Sequence, residues 1–182
     1  MKTYISLLRG INVSGQKKIK MTELKALYED LGFAEVQTYI QSGNVIFKDL
    51  EEDADILKNK IETKILETLG YQVVVFILRP ESLQKTIAEN PFMENPEVDT
   101  SKIYVTWLSE VPNSALIPNL EAIKLDTETF ILRDDVMYFT YQDGYGKSKL
   151  DNNAIERKLK VRATTRNWRT TQQLYAMSLD KE

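Results

Sequence analysis

The sequence predicts an α+β fold whose first half has the ferredoxin-like order of elements, βαββαβ. Two observations support this prediction. Short segments of alternating apolar residues occur at the strand positions of that order, and two longer segments with helical spacing lie between them. A chain of 182 residues accommodates two small subdomains. We therefore expect a ferredoxin-like subdomain over residues 1–80 and a second, smaller α+β subdomain over 81–182 that includes a C-terminal helical pair.

The first strand and the first helix have clear signals. TYISLLR, at residues 3–9, alternates its apolar side chains and predicts a strand. An apolar stripe at helical spacing then runs from Met21 to Leu31, and Gly32 follows where a left-handed cap is favoured. A loop rich in Gly, Asn, Ser and Lys separates the two elements.

The remaining elements of the first half complete the order. Residues 36–41 and 45–48 predict two strands joined by a Ser-Gly-Asn turn. Acidic residues at 51–53 suit the start of a second helix, because negative charge stabilises the positive end of the helix dipole. Gly70 ends this helix, and QVVVFIL at 72–78 predicts the fourth strand.

The second half has weaker signals and again mixes strands with helices. Residues 81–90 and 119–125 predict short helices, and residues 102–109 predict a strand. Residues 129–133 and 136–142 flank two aspartates and predict a hairpin. The sequence therefore predicts about three strands here, followed by a final helical region.

Composition restricts the chemistry that this protein can perform. The chain has no cysteine and no histidine, which excludes disulfides, thiolate metal sites and catalysis by imidazole. We expect no metal site and no cofactor, and the sequence does not decide whether the protein is an enzyme. No apolar run approaches the roughly 20 residues of a membrane helix, and Arg9 interrupts the apolar start. We expect a cytoplasmic protein that does not bind membranes.

Basic residues are concentrated in two segments of a chain whose formal net charge is -3. Residues 147–169 carry eight basic and two acidic side chains, and residues 9–25 carry five and one. Such segregation can attract a phosphate or a polyanion. The alternative is that these lysines and arginines only solvate helix faces.

The segment GYGKSKL, at residues 144–150, resembles a phosphate-binding turn before a helix that begins near Asp151. Its glycines permit tight backbone, and Lys147 and Lys149 supply positive charge. The spacing of a P-loop is not met, because Tyr141 stands where a glycine is required. The alternative is a simple hairpin-to-helix turn.

The segment VRATTRNWRTTQQL concentrates positive charge near the C-terminus. We expect a last helix to begin at Thr164 or Thr165, to run to about residue 178 and to bury Trp168. Three arginines would then lie along one edge of this region: Arg162, Arg166 and Arg169. Two alternatives stay open, namely a docking helix paired with the acidic body and, with less support, a helix-turn-helix that reads DNA.

Two loops of the first half carry further hydrogen-bonding groups. Arg9 and Asn12 follow the first strand, and Gln41, Ser42 and Asn44 surround the hairpin turn. If the loops meet, they form a neutral-to-basic pocket edge without an obvious general base. The alternative is that these residue types only satisfy the turns.

Five segments together are similar to one family: LLRGINVSG, KMTELKALYEDLGF, TYIQSGNVIF, GKSKL and ATTRNWRT. They resemble the bacterial domain-of-unknown-function 1697 family over nearly the whole chain. The resemblance implies a cytosolic α+β protein of two related subdomains and implies no activity. Its signature segments coincide with the charged loops, which gives the candidate anion- or ligand-binding residues: Arg9, Asn12, Gln41, Asn44, Lys147, Lys149, Thr165, Arg166, Asn167 and Arg169.

Three functions are compatible with this sequence. The first is a module that binds nucleic acid or another polyanion through basic loops and the C-terminal helix. Base stacking on the sheet has little support, because the third strand has only Phe47 where an RNA-recognition motif shows three aromatics. The alternatives are an enzyme or sensor for a small phosphorylated or carboxylated metabolite, and a protein-interaction adaptor. The sequence does not indicate an oligomeric state.

Overall fold

A computed structural model describes residues 1–179 of the chain. These residues form two compact units. The first contains Met1–Lys85 together with residues from Gln173 onward, and the second contains Thr86–Gln172. Both boundaries fall inside helices, so each unit is described separately.

The first unit is built on a four-stranded antiparallel sheet with the order β2-β3-β1-β4. Its elements are β1 (Lys2–Leu8), α1 (Met21–Asp30), β2 (Ala34–Tyr39), β3 (Asn44–Asp49), α2 (Ala54–Leu69), β4 (Val75–Leu78) and the start of α3 (Pro80–Ala88). This order of elements and strands is the ferredoxin-like arrangement. The fold predicted for the first half is confirmed.

The predicted helix ends of the first unit have clear physical causes. Asp53 caps α2 by accepting hydrogen bonds from the N–H groups of Asp55 and Ile56. Gly70 ends the same helix with a left-handed φ of 70°. One face of the sheet packs against α1 and α2, with Tyr4, Phe47 and their neighbours fully buried.

The second unit repeats the same topology with different residues. Its sheet is also antiparallel, with the order β6-β7-β5-β8. Its elements are β5 (Ile103–Leu108), α4 (Pro118–Glu121), β6 (Glu128–Arg133), β7 (Val136–Tyr141), α5 (Asn152–Leu159), β8 (Ala163–Asn167) and the start of α6 (Trp168–Ser178). The chain therefore contains two βαββαβ units, of which the sequence predicted only the first in full.

The fourth strand of the second unit replaces the predicted start of the last helix. Thr164 and Thr165 lie in β8, which pairs with β5 in antiparallel register, and α6 begins only at Trp168. The strand forms because its β-branched threonines pair with a strand almost sixty residues earlier, for example Thr165 with Thr106. The two C-terminal helices exist, but β8 separates them.

The subdomain boundary at residues 80 and 81 stays a prediction. It falls at the start of α3, and the compact first unit also includes the end of α6.

Candidate functional site

Three loops of the first unit meet at one end of its sheet. The N–H of Leu8 donates to the carbonyl of Gly43 at 2.8 Å, and the N–H of Arg9 donates to the carbonyl of Val74 at 2.9 Å. These bonds connect the segments 9–20, 40–43 and 70–74, which we call the basic end. The sequence leaves open whether the 9–20 loop and the hairpin turn meet, and in the structure the two are in contact.

Asn12 holds two of these segments together. Its Nδ2 donates to the carbonyls of Gln41, at 2.7 Å, and Ile19, at 3.0 Å. Its Oδ1 accepts the N–H of Ile19 at 2.9 Å. The residue has a φ of 54°, a conformation that asparagine tolerates better than most residues. Asn12 therefore has a structural role in shaping the basic end.

Gly43 makes the close approach of the two loops feasible. A Cβ at this position would lie 2.7 Å from both Ile11 Cδ1 and Leu8 Cβ. Gly43 also has a φ of 75°, which an L side chain rarely adopts. No other residue type fits this position without movement of its neighbours.

The charge of the basic end has one sign. Its three segments contain Arg9, Lys17, Lys18 and Lys20 and no acidic residue. Lys17 Nζ donates to the carbonyl of Gln72 at 2.6 Å, so this lysine also ties the 9–20 loop to the 70–74 segment. Within residues 1–179, the exposed side chains of Lys18 and Lys20 form no ion pair.

Two carboxylates border the basic end, and both accept backbone N–H groups. Glu23 accepts the N–H of Lys20 at 3.3 Å, and Glu62 accepts the N–H of Val75 at 2.9 Å. Neither belongs to the three segments. The positive charge of the basic end is therefore only partly balanced by its surroundings.

Two further predicted residues of the first unit lie in or beside the basic end. Gln41 is exposed in the hairpin turn. Asn44 is fully buried at the start of β3, where its Nδ2 donates to the carbonyl of Tyr39 at 3.0 Å. The structure thus brings Arg9, Asn12 and Gln41 together at the surface and places Asn44 beneath them.

The glycine-containing turn of the second unit is tied to a buried carboxylate. Glu128 is buried and accepts the N–H groups of Leu125 and Lys149, both at 2.8 Å. Gly144 has a φ of 84°, and the side chains of Lys147 and Lys149 are exposed. At least one N–H of this turn therefore bonds to protein and is not free for a phosphate.

Arg166 is buried at the edge of the second sheet. Its side chain is 8% exposed and donates to Thr164 Oγ1 at 2.9 Å and to the carbonyl of Thr165 at 2.8 Å. Burial lowers the pKa of Arg166 to about 10, which leaves the guanidinium protonated at neutral pH. Thr165 in turn bonds through its hydroxyl to Thr106 and Asn152. These side chains hold β8 in place.

The remaining C-terminal residues occupy different settings. Asn167 Oδ1 accepts the N–H of Thr170 at 2.8 Å and so caps α6, and Arg169 is exposed in the first turn of that helix. Arg162 Nε lies 3.6 Å from Glu156 Oε1. The predicted row of three arginines is therefore absent, since Arg162, Arg166 and Arg169 lie before, within and after β8.

The helix-turn-helix interpretation is wrong for the same reason. A tight turn must join the two helices of that motif, whereas α5 and α6 are separated by a paired strand. The prediction that Trp168 is buried is confirmed, since its side chain is 3% exposed.

Comparisons with known proteins agree with this architecture. The family described as "Protein of unknown function (DUF1697)" matches residues 1–138. The chain belongs to this family. A conserved bacterial protein from Streptococcus pneumoniae has a similar structure, with a TM-score of 0.73 and 22% identity, covering 97% of this chain and 98% of that one. No curated protein gives a significant match.

The structural similarity shows the fold, and the family description gives no activity, so the chemistry of this DUF1697 chain rests on its own residues. Among residues 1–179, no three His, Cys, Asp or Glu side chains are placed to hold a metal ion. The helices described over the same range are all too short or too polar to cross a membrane.

Sequence reasoning overlooked four residues of the basic end. Lys18 and Lys20 are its exposed cations, and they are not among the ligand-binding candidates that the sequence predicts. Val13 and Ile40 are exposed aliphatic residues that carried no signal. A search for charge segregated from acids within a single loop would have found the lysines.

Proposed function

We propose that this protein binds nucleic acid through the basic end, by contacts to phosphates that do not depend on base sequence. The observation that supports this is the grouping of four cationic side chains on the 9–20 loop, which hydrogen bonds hold against two neighbouring loops that carry no acidic residue. A preformed cluster of positive charge matches the regular negative charge of a nucleic-acid backbone.

The exposed position of the lysines favours a polymer over a small metabolite. Sites for small ligands are concave and enclose most of the ligand. Lys18 and Lys20 instead stand exposed on the loop, where they can contact successive phosphates of a strand. A small phosphorylated or carboxylated metabolite is the alternative ligand of the same charge.

The residues of the second unit are left out of this site. Thr165, Arg166 and Asn167 have structural partners within their own unit, and Lys147, Lys149 and Arg169 are exposed on two different segments of it. The proposal includes the cytoplasmic location expected from the sequence, where nucleic acids are abundant.

The first experiment measures binding and its salt dependence. A fluorescently labelled 20-nucleotide single strand, and its duplex, are titrated with protein while anisotropy is recorded at 50 and 200 mM salt. With three to four phosphate contacts, we expect affinity to fall about 20- to 150-fold between these salt concentrations. Absence of binding at 50 mM salt would overturn the proposal, and competition with inorganic phosphate would then test for a small anion.

A matched pair of variants locates the site. The variant Lys18→Gln with Lys20→Gln removes two charges from the basic end, and Lys58→Gln with Lys60→Gln removes two charges from α2 of the same unit. We expect the first to lower the slope of log affinity against log salt by about 2 and the second to leave it nearly unchanged. Equal effects of the two variants would contradict a localised site.

A further inference from the structure

The basic end also exposes two aliphatic side chains. Val13 is 59% exposed in the 9–20 loop, and Ile40 is 47% exposed in the hairpin turn. The two loops are joined next to these residues, because Asn12 donates to the carbonyl of Gln41. Val13 and Ile40 therefore project at the same end of the sheet as the cations.

Ile40 adopts a backbone conformation that isoleucine strongly disfavours. Its φ is 49°, and a β-branched residue at positive φ is a clear outlier. Because its side chain is exposed, the contacts that it makes within this protein offset little of the backbone strain. Strain of this kind is concentrated at functional sites.

The hairpin of the second unit, with two residues in its turn against four in the first, begins its turn with a different type of residue. There, Asp134 directly follows β6 as Ile40 directly follows β2, and it has nearly the same φ, 53°. Aspartate is one of the residue types that tolerate this conformation. The first unit thus uses an unfavourable apolar residue where the second uses a favourable polar one.

Val13 has a defined position as well. It forms an isolated antiparallel bridge with Gln16, whose N–H donates to the carbonyl of Val13 at 2.9 Å. Ser14 and Gly15 between them have positive φ. The side chain therefore projects from a fixed turn.

We propose that Val13 and Ile40 contact unpaired bases and make the basic end selective for single-stranded nucleic acid. The inference rests on the proposed function. A single strand exposes its bases to apolar contact beside its phosphates, whereas a duplex buries the base faces in its stack. A surface that carries both cations and the exposed side chains of Val13 and Ile40 therefore suits a single strand better than a duplex.

A lipid surface fits these residues less well. Proteins that lie at a membrane interface insert long or aromatic side chains from an amphipathic helix. Val13 and Ile40 are β-branched and stand on tight turns, not on an amphipathic helix, and no aromatic or leucine residue accompanies them in segments 9–20 and 40–43. Tyr71, in segment 70–74, packs against the core of the unit. They suit contact with a base that lies directly on the protein surface.

The test compares single-stranded and duplex binding by three variants of the full chain. Val13→Ser with Ile40→Asn removes the aliphatic tips, and Ile56→Asn with Leu66→Ser removes two similarly exposed aliphatics from α2. The third is Lys18→Gln with Lys20→Gln. The wild type should prefer the single strand about tenfold, and the tip variant should lose about that factor for the single strand only. Its salt slope should not change, since no phosphate contact is removed.

The outcomes separate the two proposals. If the lysine variant weakens binding while the tip variant binds like the wild type, the base contact is wrong and the phosphate site stands. If the lysine variant also has no effect, the site itself is wrong. Binding to vesicles of phosphatidylcholine with 30% phosphatidylserine, but not to oligonucleotides, would overturn both. Unfolding does not confuse the result, because asparagine tolerates the backbone of residue 40 and the Tm should not fall.

Discussion

In both βαββαβ units, three loops meet at the end of the sheet where the first strand ends, and the side chains on these loops differ between the units. In the first, Leu8 and Arg9 donate to the carbonyls of Gly43 and Val74. In the second, Leu108 donates to Asp135, and Ser109 donates to Arg162. The same two backbone contacts therefore close both units at the same end of the sheet.

The side chains at these two ends differ in charge. Segments 9–20, 40–43 and 70–74 carry four basic residues and no acidic residue, whereas segments 109–117, 134–135 and 160–162 carry two basic and three acidic residues. The same two backbone hydrogen bonds form in both units, whether the loops carry mainly basic or mixed charges. The positive charge of the first end is therefore not a requirement of the architecture.

The largest effect is expected where the first end is most tightly packed. Gly43→Ala should lower the free energy of unfolding by about 3 kcal/mol, because its Cβ would overlap Ile11 and Leu8 and its φ is positive. Urea unfolding measures this change. Gly146→Ala is the control, since a Cβ there meets no atom within 4 Å, and its effect should stay within about 0.5 kcal/mol. Equal effects would show that the loops do not pack as described.

The second expected effect compares an asparagine at each end. Asn12→Ala removes two donated hydrogen bonds and one accepted bond and should cost about 2 kcal/mol. Asn113→Ala, in the loop after β5, removes one bond to the N–H of Ala115 and should cost about 0.5–1 kcal/mol. Thermal unfolding of both variants tests the order. A larger loss for Asn113 would mean that the first end is the less constrained of the two.

The sequence predicted the elements whose signals are local. The stripe from Met21 to Leu31 gave α1, and Asp53 and Gly70 marked the ends of α2. These features depend on neighbours within a few turns, so periodicity and capping preferences are sufficient.

The sequence did not predict the features that depend on distant pairing. Thr164 and Thr165 resemble a helix cap, so local signals favour a helix over β8, whereas the strand partners of these threonines in β5 lie almost sixty residues away. The contact of Asn12 with Gln41 spans 29 residues. The positive φ of Ile40 is imposed against its own preference, so no local rule predicts it.

The third effect has the opposite sign. Ile40→Gly should raise the free energy of unfolding by about 1 kcal/mol, because glycine adopts positive φ without strain. Asp134→Gly, at the first residue of the other hairpin turn, should change it by only a few tenths, roughly the range seen for tolerant residues in this conformation. Chemical denaturation of the two variants provides the measurement. If Ile40→Gly is destabilising, its side chain contributes more packing than its exposure indicates.

The smallest effect concerns the ion pair between Arg162 and Glu156 at the second end. Arg162→Gln removes the contact with Glu156, and it should cost at most about 0.5 kcal/mol, because the arginine side chain is 54% exposed and solvent screens the pair. Glu156 keeps a role without it, since its Oε1 accepts the N–H of Ala163 at 3.1 Å. Unfolding in low salt and in 1 M salt should give nearly the same difference between wild type and variant. A loss above about 1 kcal/mol would indicate that the pair supports β8. Arg162 thus pairs with a carboxylate of its own unit, whereas the exposed side chains of Lys18 and Lys20 form no ion pair within residues 1–179.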